Sequence, residues 1–157
     1  MIEVTSLALA SHPFLRGMSH EHLEALAATA SDVRFPAGHR VFEEGEFAGK
    51  FWLIQSGRVA LDMSMPGNGR VIVDRVGMGD LLGCSWLFPP YRWAFGAACA
   101  SPVEAFEFDA GAIRARFAAD PVFGYELTRR LIPVVAGRLQ ATRGRLIAGS
   151  RRADDPY

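Results

Sequence analysis

The sequence has little lysine, little cysteine and no net charge. Its 157 residues include 17 basic and 17 acidic side chains, and Lys50 is the only lysine among the basic ones. A protein that binds nucleic acid or an anionic membrane by releasing counterions needs a basic surface. Because the charges of this sequence cancel, its net charge gives no reason to expect either partner. The arginine bias is given no functional weight.

Targeting signals and long apolar runs are missing as well. Cys84 and Cys99 are too few for a disulfide-stapled secreted scaffold. The N-terminus lacks a basic region, its apolar run is too short for a secretory signal, and no segment approaches the roughly 20 apolar residues of a membrane span. With 50% hydrophobic and 11% aromatic residues, the composition excludes a disordered protein. We predict a single soluble, cytoplasmic domain over residues 1–157 that binds no membrane.

A short helix is predicted near the N-terminus, and a β-roll over about residues 33–108. Ser19 is a suitable N-cap for the helix. In the following segment, short β-like runs alternate with glycine-containing turns about every 8–12 residues, which is typical of an antiparallel sandwich or jelly roll. Ser56-Gly57 between two of these runs predicts a tight β-hairpin. The predicted strands are Val33–Phe35, Arg40–Phe42, Phe51–Gln55, Arg58–Met63, Val71–Val76 and Val103–Phe108.

A long C-terminal helix is predicted over about residues 121–147. Asp120 followed by Pro121 is a strong start signal, and Pro133 predicts one bend. The narrow apolar seam resembles a coiled-coil stripe and predicts a homodimer through this helix. The arginines of the helix are interpreted as a solvated face. The seam residues are Leu131, Val135, Leu139, Thr142 and Leu146.

Two segments, HPFLRGMSHEHLEALA and FPAGHRVFEEGEFAGKFWLIQSGRVAL, carry a family resemblance together with the stretch Gly79–Gly83. They resemble the cyclic nucleotide-binding domain of Crp/Fnr-type bacterial regulators and of protein kinase A regulatory subunits. The resemblance extends over roughly Phe14 to Leu146. It implies a double-stranded β-helix (jelly roll) of about eight strands, a short helix in the ligand-holding cassette and a C-terminal helix.

The same resemblance implies a phosphate-binding cassette, but this sequence departs from its pattern. Relatives that bind cyclic AMP carry GDxxGE, then a loop and Arg-Ser/Thr-Ala. Gly83 matches the cassette glycine, while Cys84 replaces the ribose-binding glutamate and Trp93 replaces the small hydroxyl residue. Arg92 aligns with the phosphate-binding arginine, and backbone N–H groups of Gly83–Ser85 are the expected phosphate donors. Losing the charged bond to the ribose costs on the order of 1.5–3 kcal/mol.

The C-terminal helix offers one further candidate ligand contact. Arg138–Thr142 resembles the dimer helix of the catabolite activator proteins, in which a threonine reaches the adenine edge. Thr142 occupies that position, and Arg143 stands where those proteins have a serine. Thr142 would also pack on an apolar seam without any ligand. The candidate ligand-binding residues are thus Gly83, Cys84, Ser85, Arg92, Trp93 and Thr142.

Two local features have alternative interpretations. Cys84 is either an inert buried thiol or a redox-sensitive one. The aromatic residues of 86–95 form either plain core or a remodelled pocket for a flatter, more apolar ligand. No His/Cys cluster predicts a metal, and no catalytic constellation predicts an enzyme. About ten residues follow the predicted helix, so direct DNA binding is not expected.

The sequence therefore predicts a stand-alone cyclic nucleotide-binding-like regulatory or sensor domain of bacterial signalling type. Its altered cassette predicts weak or non-standard binding, with cyclic AMP or cyclic GMP as candidate ligands and no resident cofactor. The alternatives are a ligand-free interaction scaffold and a sensor of an apolar or redox signal. The downstream protein partner is not specified by any motif.

Overall fold

The computed structural model describes the backbone of residues 3–154 and the side chains of residues 3–144. Two short helices, α1 and α2, come first, and helices α3 and α4 follow the strands, with 3-10 turns at Pro13–Leu15 and Ser85–Leu87. The helices are α1 Ser6–Ala10, α2 His20–Ala27, α3 Ala110–Ala119 and α4 Pro121–Asp154. The strands are β1 Ala30–Phe35, β2 Arg40–Phe42, β3 Lys50–Ser56, β4 Val59–Met65, β5 Gly69–Val76, β6 Leu81–Leu82, β7 Gly96–Cys99 and β8 Val103–Asp109.

The strands form two four-stranded antiparallel sheets that face each other as a roll. One sheet has the order β1-β8-β3-β6 and the other β2-β7-β4-β5. Sequential strands lie in different sheets at several points, which is the connectivity of a jelly roll. This architecture confirms the predicted fold class: mainly β, with flanking helices and a long C-terminal helix.

All six predicted strands are present, with ends that differ by a few residues. Strands β6 and β7 were not predicted. Strand β6 has only two residues, and β7 has the sequence Gly-Ala-Ala-Cys, whose residue types have low β propensity. Helices α1 and α3 were not predicted from the sequence either. Strand β7 lies between β2 and β4, and a Cβ on its Gly96 would lie 2.0 Å from Nη2 of Arg40, so a small residue is required there.

The predicted hairpin at Ser56-Gly57 is wrong. Strand β3 pairs with β6 and β8, whereas β4 pairs with β5 and β7, so the chain crosses between the sheets at this point. Gly57 has a φ of 95°, and a Cβ there would lie 2.2 Å from the carbonyl oxygen of Pro102. The glycine therefore serves a tight crossover. The segment 66–68 does connect a paired hairpin, in which Met65 faces Gly69.

Helix α4 continues beyond its predicted end. It runs as one helix of 34 residues through Pro133 to Asp154, and not to about residue 147. At about 1.5 Å per residue it is about 50 Å long. Among the described helices, α4 included, none combines the length and apolar character needed to cross a membrane.

The face of α4 that contacts the roll differs from the predicted seam. Leu131 is fully buried against the roll and belongs to the core, so it is not part of an outer seam. Val135 and Leu139 are exposed, as a seam residue must be, and Leu146 lies outside the described side chains. The exposed side instead includes Tyr125 and Ile132. We call Tyr125, Thr128, Ile132, Val135, Leu139 and Thr142 the outer stripe.

The interpretation of the α4 arginines as a solvated face is also wrong for two of them. The side chain of Arg130 is 16% exposed and donates to the carbonyl of Arg16 at 3.0 Å. The side chain of Arg138 is 12% exposed and forms an ion pair with Asp74 of β5. Arg129 and Arg143 are exposed, as predicted. Two arginines of α4 therefore fasten the helix to the rest of the domain.

The start of α4 is also fixed to α2. The buried His22 ring contacts Glu126 through Nδ1, and its Nε2 lies 3.8 Å from a carboxylate oxygen of Asp120. The same ring packs edge-on against Phe123. The first turns of α4 are thus held firmly, and its later part projects along β5 and β6.

Candidate functional site

The predicted cassette is a compact turn that begins after β6. Gly83 has a φ of 95°, a left-handed conformation that favours glycine. Its carbonyl accepts a hydrogen bond from Nε1 of Trp86 at 3.0 Å. The hydroxyl of Ser85 is buried and accepts from the backbone N–H of Ala94 at 3.2 Å. The first bond closes the turn itself, and the second joins it to the segment that contains Arg92 and Trp93.

Trp93 lies inside the roll next to this turn. It is 5% exposed and stacks on Phe42 with 3.8 Å between ring centroids. A Cβ on Gly83 would come within 2.9 Å of the Trp93 ring, so the structure brings these two predicted site residues together. The indole therefore fills space inside the roll between the cassette and β2.

The aromatic residues of 86–95 divide between two environments. Trp86 is fully buried and stacks on Phe51, on the side of the first sheet that α3 covers. Trp93, by contrast, borders a cavity of about 640 Å³ that is lined mainly by β2 and the turn that follows it. Phe88 is 47% exposed. Trp86 is therefore core, whereas Trp93 borders open space.

Arg92 is not brought into this group. Its side chain is exposed, and its guanidinium donates to the carbonyl of Gly45 at 3.1 Å. To meet a ligand at the cassette, it would have to give up this bond. Its role as phosphate partner stays a prediction.

Thr142 lies on α4, away from the cassette in sequence, and is half-buried. Its hydroxyl donates to the carbonyl of Arg138, four residues earlier, at 2.9 Å. This is a common arrangement for threonine within a helix. The bond satisfies the hydroxyl without a ligand, and the acceptor capacity of the oxygen remains free for one.

A cavity of about 340 Å³ lies where α4 passes over β5 and β6. Its volume is at the lower end of the range for small-molecule sites. Leu81 of β6 lines this cavity, and the cassette glycine, Gly83, follows it by two residues, so the cavity and the cassette are neighbours. Its lining residues are Asp74, Arg75, Val76, Asp80, Leu81, Pro133, Val134, Gly137, Arg138 and Ala141.

Arg138 is the half-buried cation of this cavity, and it was not among the predicted ligand-binding residues. Its Nη1 donates to Oδ2 of Asp74 at 2.6 Å. A signal was present in the sequence, because Leu127, Leu131 and Val134 precede Arg138 at spacings of four, three and four. This spacing places Arg138 on the helix face that covers the roll.

Cys84 lies within the electrostatic reach of Arg138. Burial raises the pKa of the Cys84 thiol above its ordinary value, and the positive charge of Arg138 offsets only part of that rise. Burial also raises the pKa of Cys99, and both cysteines are free. A raised pKa keeps a thiol protonated at neutral pH, and the protonated form is not the nucleophile. The inert interpretation of Cys84 is therefore favoured over the redox one.

This chemistry predicts slow thiol modification. At pH 7.5 we expect Cys84 to react with a disulfide reagent more slowly than free cysteine, whose pKa is about 8.5. The rate should rise as the pH is raised beyond that value. Matched Cys84→Ala and Cys99→Ala variants assign the two reactions. Modification of Cys84 at the rate of free cysteine at pH 7.5 would restore the redox interpretation.

Within residues 3–144, no three His, Cys, Asp or Glu side chains are grouped so as to hold a metal ion. The site residues offer a guanidinium, that of Arg138, beside a cavity, and an aromatic ring, that of Trp93, next to the Gly83 turn.

Comparison with known proteins places the chain in a family. The family model described as cyclic nucleotide-binding domain matches residues 32–120. A CRP-like cAMP-activated global transcriptional regulator of Mycobacterium tuberculosis is 30% identical over 138 residues, which cover 88% of this chain and 60% of that protein. The chain thus spans about 60% of the length of the curated relatives it matches.

Solved structures agree in fold. A candidate cyclic nucleotide-binding protein from Geobacter metallireducens GS-15 superposes with a TM-score of 0.77 at 25% identity, covering 88% of this chain and 99% of that one. The sensor domain of the transcriptional regulator DNR from Pseudomonas aeruginosa gives a TM-score of 0.66 at 21% identity, covering 84% of this chain and 89% of that one. At that identity the second likeness concerns the fold alone.

Proposed function

The chain belongs to the cyclic nucleotide-binding domain family, and from this premise we propose that it is a regulatory sensor module with an altered cassette. The ligand would be a cyclic nucleotide bound weakly, held between the cassette and α4. The observation that carries the proposal is the cavity of about 340 Å³ beside the cassette, with Arg138 in its wall. A phosphate-bearing ligand needs a cation in such a place.

Weak binding follows from the two cassette substitutions. Cys84 has no carboxylate to accept a ribose hydroxyl, and its thiol is a poor acceptor. Trp93 fills the part of the roll next to Gly83, where relatives have a small hydroxyl residue. Both changes remove favourable contacts with the sugar-phosphate part of the ligand.

Thermal unfolding tests whether a cyclic nucleotide binds. With cyclic AMP or cyclic GMP at a concentration about ten times Kd, linkage adds about 1.4 kcal/mol to the free energy of unfolding. For a domain of this size, the midpoint should rise by roughly 3–6 °C. A rise with either nucleotide, and none with the matching linear 5′-monophosphate, supports the proposal. No rise with either cyclic nucleotide at millimolar concentration counts against it.

We also propose that the module is a homodimer through α4. Tyr125, Ile132 and Leu139 lie seven residues apart, with Val135 between the last two. The exposed fractions of Tyr125, Ile132 and Leu139 are 68%, 61% and 70%. Large apolar side chains in a heptad pattern on one face of a long helix are typical of a helix that pairs with a copy of itself.

The packing of Trp93 favours a second candidate function, a scaffold that has kept the fold and lost the ligand. If the indole permanently occupies the ligand's place, no nucleotide should change the melting temperature. In that case, the outer stripe would be the functional surface. An anion bound in the cavity beside Arg138 in a crystal structure would count against this alternative.

The cellular setting of the module is also a proposal. The balance of 17 basic and 17 acidic residues gives the sequence as a whole no net attraction for DNA, so we propose that this chain does not contact DNA directly. No arrangement in the described site supports catalysis, and we propose a cytoplasmic regulator rather than an enzyme. A protein partner would receive the signal.

A further inference from the structure

The cation of the cavity is already neutralised by a carboxylate of the same chain. Nη1 of Arg138, on α4, donates to Oδ2 of Asp74, on β5, at 2.6 Å. Nη2 of the same guanidinium lies 3.5 Å from the carbonyl oxygen of Leu81. The two side chains are 12% and 27% exposed, so the pair is screened less than a surface ion pair would be. Both residues line the cavity.

Asp74 is held in position to make this contact. Its second oxygen, Oδ1, accepts the backbone N–H of Arg75 at 2.8 Å. The carboxylate therefore has a bond on each oxygen, one to its own strand and one to α4. An ion pair whose partner is fixed in advance loses less side-chain entropy when it forms.

The other charged residues of the cavity wall leave its net charge close to zero. Asp80 accepts a hydrogen bond from the backbone N–H of Gly77 through Oδ2, and the Arg75 side chain is exposed. The wall thus contains two carboxylates and two guanidinium groups. An incoming anion gains little net attraction until the guanidinium of Arg138 is released from its carboxylate.

We infer that Asp74 is an internal competitor that occupies Arg138 until an anionic ligand displaces it. The inference rests on the proposed ligand site and deepens it, because it names the residue that sets the affinity threshold. Displacement also breaks the ion pair that joins α4 to β5. Arg138 is adjacent to Leu139 of the outer stripe. The Arg138–Asp74 ion pair therefore affects both the entry of the ligand and the position of the stripe.

Asp74→Asn is the decisive variant. Asparagine keeps an oxygen that can accept from Arg75, but it removes the charge that holds Arg138. We expect the variant to bind anionic ligands on the order of tenfold more tightly than the unmodified chain. Asp80→Asn is the matched control, because it makes the same charge change in the same cavity without touching Arg138. Arg138→Gln should lose binding in either background.

Three probes separate this inference from the proposed function: cyclic AMP, cyclic GMP and inorganic pyrophosphate, which carries the anion without base or sugar. Affinities are measured by calorimetry, and each variant is first shown to melt cooperatively; Asp74→Ser repeats the test if Asp74→Asn does not fold. Tighter binding of any probe to Asp74→Asn, but not to Asp80→Asn, supports the competitor.

The remaining outcomes are distinct. Equal affinities in the unmodified chain and Asp74→Asn, or an equal gain in Asp80→Asn, overturn the competitor and leave a nucleotide-binding function standing. Pyrophosphate bound more tightly by Asp74→Asn, with no cyclic nucleotide bound by any variant, keeps the competitor and removes the proposed ligand class. No binding of any probe to folded Asp74→Asn overturns both.

Discussion

Leu139→Glu is expected to convert the protein from a dimer into a folded monomer. Leu139 is 70% exposed and contributes nothing to the core of its own chain, so the substitution should leave the roll intact. In a paired stripe the same leucine would be buried against a second copy of α4. The substitution opposes pairing in two ways. It removes the apolar side chain that would be buried, and it places two carboxylates, one from each chain, at the contact.

The expected size of this effect follows from the buried area. Burying one leucine side chain is worth about 1.5–3 kcal/mol. A symmetric interface contains the residue twice, so its loss amounts to roughly 3–6 kcal/mol, or two to four decades in the dimer Kd. Repulsion between the glutamates adds to this figure.

Gln140→Glu is the control for this experiment, because it introduces the same charge one residue away and off the stripe. Sedimentation velocity over a range of protein concentrations should show a dimer for the unmodified chain and for Gln140→Glu, and a monomer for Leu139→Glu. A monomer in all three proteins, or a dimer that survives Leu139→Glu, would remove the claim.

Cys84→Glu is expected to strengthen cyclic nucleotide binding by roughly 10- to 100-fold. The substitution restores a carboxylate at the position where relatives bind the ribose hydroxyl, and a hydrogen bond to a charged group is worth about 1.5–3 kcal/mol. The new carboxylate would lie in the field of Arg138, which already acts on the Cys84 thiol. The guanidinium offsets part of the cost of burying the charge.

Cys84→Gln separates the charge from the shape in this prediction. Glutamine has the same length and can accept a hydrogen bond, but it carries no charge. Calorimetric titration with cyclic AMP and cyclic GMP should rank Cys84→Glu well above Cys84→Gln, and Cys84→Gln close to the unmodified chain. An affinity for Cys84→Glu no better than that of Cys84→Gln would show that the ligand's sugar does not lie at residue 84.

The roll could be predicted from the sequence because its turns are marked locally. Glycines such as Gly38 and Gly45 have positive φ values, and glycine tolerates such values without steric strain. Strand β7 could not be predicted in this way, because its Gly-Ala-Ala-Cys sequence has no local β signal and forms a strand only by pairing with β2 and β4. The hairpin prediction at Ser56-Gly57 was wrong because a local turn signal does not specify which sheet the next strand joins.

The two faces of α4 show why the candidate site could be predicted only in part. The inner face (Leu127, Leu131, Val134, Arg138) and the outer stripe are offset by one residue and have similar spacings. A seam drawn through Leu131 and Val135 therefore joined residues from both faces. The two faces differ only in which of them the roll covers. Because the roll covers the face that contains Arg138, this arginine lines a cavity and is not a surface residue.

The cassette shows the converse case. Its location followed from the order Gly79, Asp80, Gly83, but its contacts did not. The chain places the arginine predicted to meet phosphate, Arg92, at the Gly45 carbonyl on the surface, and places Trp93 against Phe42 within the roll. Residue identity alone does not reveal which of two neighbouring side chains points inward at an irregular turn.

The measurement that tests the central claim most directly is a calorimetric titration of the unmodified chain with cyclic AMP and cyclic GMP up to millimolar concentration, beside Arg138→Gln and Arg92→Gln. A site centred on the α4 cavity predicts saturable heat for the unmodified chain with one ligand per chain, and none for Arg138→Gln. If the binding heat is lost in Arg92→Gln but kept in Arg138→Gln, the ligand binds at the cassette surface and not in the α4 cavity. No heat from the unmodified chain, together with no rise in its melting temperature, would contradict a nucleotide-sensing function.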